Sequence, residues 1–169
     1  MSIDNQDHVN ALLFGLMASG DIDSDCHHDN RNYTQKIHDF QQTLAQFEQL
    51  DIPVVHHFAP GVYLREMNAA AGSVIVGKTH RYDHACILSK GKVTVVSEHG
   101  TTTLEAPYTF VAKAGAKRAF YVHEDTIWTT VHPTQTTDLE AIERDVIVPD
   151  AEVIEFREQL GLEKKLCHG

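Results

Sequence analysis

Apolar residues recur at two different spacings along this chain, and the change falls at Pro53. Before it, Val9, Leu12, Leu13, Leu16 and Met17 stand three or four residues apart and Ser19-Gly20 closes the run, which predicts a helix over 5–18. Ile37, Phe40, Leu44, Phe47 and Leu50 repeat the pattern between Gln, Asp and Glu, and predict a second amphipathic helix over 33–50. A stripe of this kind is a packing face, for one open side of a core or for a second chain.

After Pro53 the pattern shortens. The runs 54–57, 62–67, 73–80, 84–89, 92–97, 102–105, 108–112, 117–122 and 126–132 are rich in β-branched and aromatic residues. Turn formers such as Pro60-Gly61, Ala71-Gly72, Lys90-Gly91 and His99-Gly100 separate them. Gaps this short leave no room for crossover helices, so the sheets must be antiparallel, and about nine strands predict a sandwich or barrel. In the tail, Thr137-Asp-Leu-Glu140 is a capping-box pattern opening a helix over 139–144. Asp150 is the expected cap of another, with Val153, Phe156 and Leu160 along one side. The expected organisation is a helical extension over 1–52, a β-barrel over 53–133 and a helical tail over 134–169.

Composition narrows the class. At 169 residues, 42% hydrophobic and 22% charged, the chain is of ordinary globular make-up and can bury a core. It has no apolar run near the ~20 residues of a membrane span and no basic-then-apolar leader, so a soluble cytoplasmic protein is expected. Three cysteines, Cys26, Cys86 and Cys167, cannot all pair within one chain, which fits a reducing compartment. A formal net charge of −10 argues against a general nucleic-acid binder, which needs a basic face, and leaves room only for a local basic cluster.

Candidate chemistry centres on Gly77–Gly91, GKTHRYDHACILSKG. If this is one continuous strand, His80, Tyr82 and His84 share a face, and two imidazoles from one strand supply half of a four-coordinate metal site. The alternative is two half-buried polar residues at a strand end. His132 shares parity with Trp128 and Thr130 and would join them if that parity faces inward; otherwise it is a strand-end histidine beside a proline. His57 and Glu66 are further candidates, whereas His56, His99 and His123 sit at turns or ends and are expected to be solvated. The loop from Asp21 to Asn32 alternates carboxylates like a calcium loop, but Cys26 stands where the turn wants glycine and Asn32 where a bidentate glutamate is needed. A solvated acidic loop is expected instead. Cys86, inside Ala-Cys-Ile-Leu, reads as an inert core residue. Phosphate loops, nucleophile elbows and dinucleotide fingerprints are missing.

The Gly77–Gly91 stretch resembles the first motif of the cupin superfamily: glycine, five residues, His-x-His, a short gap, Glu, then six residues and glycine. Counted back from Gly91, His84 takes the glutamate position, His80 the second histidine and Lys78 the first. Lys113-Ala-Gly115-Ala-Lys-Arg118 resembles the closing Pro-x-Gly-x-x-His motif, with Lys113 for the proline and Arg118 for the last metal histidine. HHFAPGVYLRE, GKTHRYDH, LEAP and DTIWTTVHPT further resemble small cupin-like proteins encoded by tailed bacteriophages. The resemblance covers about Val54 to Pro133 and implies a mainly β fold, an antiparallel jelly-roll barrel, flanked by the N-terminal helical pair and the short C-terminal helices. Together with the strand parities above, the expected site is one divalent metal ion with His80, His84 and His132 as ligands, and a small ligand met by Tyr82, Arg118 and Glu66. A guanidinium cannot ligate a cation. Arg118 is therefore expected to pair with Glu66 inside the barrel, to hold an anionic ligand, or to be an exposed strand residue.

Two functions remain open at this point. One is a non-enzymatic binding or structural module, phage-encoded and part of a homo-oligomer or a larger virion assembly, located in the host cytoplasm or the virion. The other is a metal-dependent cupin enzyme of the isomerase or oxygenase kind using His80 and His84. Lys78, His84 and Arg118 stand where the motif has His, Glu and His, which weighs against the redox reading.

Overall fold

The computed structural model describes residues 32–163. The helix predicted over 5–18 and the loop from Asp21 to Arg31 lie outside the described residues, as do Cys26 and Cys167. The first described helix, α1 (Tyr33–Leu44), opens with a reciprocal cap: the Asn32 side chain accepts from Gln35 N–H, and Gln35 Oε1 accepts from Asn32 N–H. Ile37 and Phe40 are buried against Val96 and Ala119, with Tyr33 and Leu44 at the rim. The helix is shorter than its apolar periodicity predicts. Gln49 turns back and donates its amide to the Leu44 and Phe47 carbonyls, satisfying acceptors that a helix end leaves open, and Leu50 is left exposed.

The barrel follows as β1 (Val54–Ala59), β2 (Val62–Ala69), β3 (Val74–Val76), β4 (Thr79–His80), β5 (His84–Lys90), β6 (Lys92–Ser97), β7 (Gly100–Glu105), β8 (Tyr108–Ala112), β9 (Ala119–Val122) and β10 (Thr126–Pro133). One sheet has the order β1-β2-β10-β5-β8 and the other β3-β9-β6-β7, and every pairing is antiparallel. The chain crosses between the sheets at β2–β3, from β3 through β4 to β5, and at β5–β6, β7–β8, β8–β9 and β9–β10, the winding of a jelly roll. The fold is therefore mainly β, as the alternation after Pro53 predicts. Leu88, Val93, Val95, Val122 and Trp128 fill the space between the sheets, and the Trp128 ring meets Phe110 and Phe120 edge-on. Fully buried aliphatic side chains such as Leu88 each contribute about 1.5–3 kcal/mol. Gly91 makes the step from β5 to β6 at φ 89°, and a Cβ there would sit 2.6 Å from the Asp125 carbonyl oxygen, so only glycine fits.

The tail is built into the barrel. Helix α2 (Leu139–Val146) is capped by Asp138, one residue later than the capping-box pattern suggests, because its carboxylate accepts from Glu140 and Ala141 N–H. A two-residue strand, β11 (Ile147–Val148), pairs with β4. A 3-10 turn (Asp150–Glu152) then leads into α3 (Val153–Gln159). Asp150 is not a cap: its carboxylate accepts from the buried Lys117 ammonium at 2.7 Å and from the Gln41 amide at 2.8 Å, tying the tail to the barrel and to α1. Arg157 is 1% exposed and bonds Glu98 at 2.7 Å, Glu163 at 2.8 Å and the Gly115 carbonyl at 2.6 Å. Among the described residues, no helix is long and apolar enough to cross a membrane.

Candidate functional site

The expected continuous strand from 77 to 91 does not exist. β4 ends at His80, residues 81–83 form a bend, and β5 begins at His84. The bend is anchored on each side. Arg81 N–H donates to the Val146 carbonyl at 2.8 Å, and Gly115 N–H donates to the His80 carbonyl at 2.9 Å. Asp83 accepts from Lys113 Nζ at 2.7 Å and Ala114 N–H at 2.9 Å. The consequence is a short path between the two histidines, whose ring centroids lie 4.0 Å apart.

His132 completes a cluster of three. β10 runs between β2 and β5, so its inward residues Trp128, Thr130 and His132 face the same space as His84. The His132 ring stacks on His80 at 5.2 Å and on His84 at 5.0 Å. Tyr63, opposite His132 in the β2–β10 register, continues the stack at 6.2 Å and donates its hydroxyl to, or accepts from, His56 Nδ1 at 2.7 Å. The imidazoles line one wall of a cavity of about 500 Å³. Its inner wall is apolar, with Met67, Cys86, Phe120 and Trp128, and helix α2 closes one side with Leu139, Ile142 and Val146.

Burial keeps all three rings neutral. It pushes His80 down to about 3, with His84, His132 and Arg65 adding to the effect. It pushes His132 down to about 4, with His84 and Arg65 adding. It also lowers His84, where the Arg118 charge acts in the same direction and the hydrogen bond to Tyr82 against it. That bond runs from His84 Nδ1 to the Tyr82 carbonyl at 3.2 Å, so Nδ1 carries the proton and Nε2 keeps its lone pair. Burial lifts the Cys86 thiol to about 11, so it supplies no thiolate at neutral pH.

The other expected site residues fall elsewhere. Tyr82 is 51% exposed in the bend and reaches Asp145 at 3.4 Å, away from the cavity. Glu66 stands on the outer face of β2, between Val55 and Thr129, and pairs with His57 at 3.5 Å. The expected Arg118–Glu66 pair is therefore absent, because Glu66 and the cavity-lining Arg65 and Met67 occupy opposite faces of one strand. Arg118 itself precedes β9, lines the cavity and lies over the Phe110 ring, 5.7 Å from its centroid. Tyr63 and Arg65 are cavity residues that no motif in the sequence marks, and His56, expected to be solvated, lines the cavity beside them because β1 pairs it with Arg65 and its ring meets the Tyr63 hydroxyl. The signal was there in the Tyr63-x-Arg65-x-Met67 alternation, but Leu64 and Glu66 alternate equally well.

No protein-family model matches the chain, and no curated protein matches it. Solved structures similar to it include an ectoine synthase from P. lautus (11% identity, TM-score 0.48, covering 61% of this chain and 78% of that one). A putative ethanolamine utilization protein Q from Salmonella typhimurium is similar at 12% identity and TM-score 0.44, over 52% of this chain and 72% of that one. A cupin-2 domain protein from Shewanella frigidimarina is similar at 14% identity and TM-score 0.41, over 56% and 92%.

Proposed function

We propose that this chain is a cupin-like binding module whose barrel cavity holds a small molecule at a divalent ion carried by His80, His84 and His132. The observation that supports it is the meeting of three neutral imidazoles, drawn from β4, β5 and β10, at the wall of a cavity of about 500 Å³. The donor set suits an intermediate divalent ion: imidazoles bind only when neutral, and the Tyr82 carbonyl orients His84 as an outer partner of a ligand does. The rings stack, and among the described residues no group of His, Cys, Asp or Glu is gathered about a common centre, so an ion would have to turn them to converge. Non-enzymatic binding is preferred over an isomerase or oxygenase because Cys86 is protonated and Arg118 adds a cation beside the cluster.

The narrower part of the proposal is a phage-encoded protein working within an oligomer or larger assembly. Val55 and Phe58 on β1 and Val111 on β8, the edge strands of the five-stranded sheet, are exposed apolar residues suited to such contacts. Elemental analysis of tag-free protein tests the metal reading. About one equivalent of a divalent metal is expected, lost in the His80→Ala/His84→Ala/His132→Ala variant. Light scattering that shows a clean monomer would count against assembly.

A further inference from the structure

Charge in the cavity runs opposite to charge on the chain. The protein has a formal net charge of −10, yet its cavity is lined by Arg65, Lys78 and Arg118 against a single carboxylate, Glu143. Lys78 and Glu143 pair with each other, which leaves two guanidiniums. Among the described residues neither has an ion pair or a side-chain hydrogen bond. Arg118 is half-buried over the Phe110 ring, a contact that positions a guanidinium without neutralising it. A guanidinium with no carboxylate partner keeps its donors open, and an anion brought by a ligand can accept from them.

The two arginines also stand on opposite walls. Arg65 is exposed on β2 of the five-stranded sheet, at the mouth. Arg118 immediately precedes β9 of the four-stranded sheet, further in. Their fields reach different members of the cluster: Arg118 acts on His84 and Cys86, and Arg65 on His80, His132 and Tyr63. A molecule seated at the histidines therefore lies between two cations.

We infer that the cavity takes a small dianion, in its simplest form a dicarboxylate, with one acid group on Arg118 and the other on Arg65. The planar guanidinium matches a carboxylate through two parallel hydrogen bonds, and a cavity of about 500 Å³ suits a molecule of this size. The inference rests on the reading of the cavity as the binding site and is independent of the metal ion.

Calorimetric titration of chelator-treated protein with succinate, glutarate and butyrate tests it. At least one dicarboxylate should bind about ten-fold more tightly than butyrate. Salt at about 1 M should weaken that binding. Arg118→Gln and Arg65→Gln should each remove the dicarboxylate advantage, and Arg65, being exposed, carries the test alone should Arg118→Gln fail to fold. Equal affinity for all three acids, no binding of any, or an unchanged advantage in Arg65→Gln would overturn the inference. Metal binding that survives such a result would confine the failure to the dianion, whereas loss of both would remove the cavity as a binding site.

Discussion

The ring centroids of His80 and His84 lie 4.0 Å apart, although four residues of continuous strand span about 13 Å. The bend at 81–83 accounts for the difference, and Asp83 braces it through Lys113 and Ala114. The motif spacing thus brings two imidazoles together by a break in the strand and not by a shared strand face.

Asp83 should therefore act on the cluster without touching it. Asp83→Ala is expected to weaken divalent-ion binding about ten-fold, the usual effect of removing an outer support. Asp83→Asn, which still accepts from Ala114, should weaken it less. Titration of both variants with zinc checks this, and wild-type affinity in Asp83→Ala would show that the bend holds its shape by itself.

Stability should depend on pH through the same histidines. Their ordinary value is 6.5, and in the fold burial brings His80 to about 3 and His132 to about 4. As pH falls below about 6.5 the unfolded chain binds protons that the fold refuses, so stability is full above that value and declines towards pH 4. The slope is up to about 1.4 kcal/mol per pH unit for each histidine. Metal-stripped protein should show a lower urea midpoint at about pH 5 than at about pH 7, a difference reduced in His80→Gln/His132→Gln. Equal midpoints at the two pH values would contradict the burial of these rings.

The buried arginine of this fold is Arg157, not Arg118. Arg157→Met strands the carboxylates of Glu98 and Glu163 and should cost about 3–5 kcal/mol. Arg118→Met strands no carboxylate and should leave thermal stability little changed. Melting curves of the two variants decide the assignment, and the reverse order would overturn it.

Much of the barrel was legible in the chain because alternation and turn formers are local signals. Val93 to Val96 and Trp128 to His132 carry them plainly. Facing was less legible. β2 has apolar residues on both sides, Leu64 outside and Met67 inside, so parity alone could not separate Glu66 from Arg65. Asp150 has the residue type of a cap but serves Lys117, a partner 33 positions away. The covering of the cavity by Ile142 and Val146 was not legible at all, since an amphipathic helix does not show in its own sequence which surface it meets.

Nitrogen-15 NMR of the histidine side chains during addition of one equivalent of zinc tests the central claim most directly, because it reports which rings coordinate. The imidazole nitrogens of His80, His84 and His132 should shift together and saturate at one ion per chain, while His57, His99 and His123 stay in place. Unchanged spectra for the three rings, or shifts confined to the exposed histidines, would contradict it.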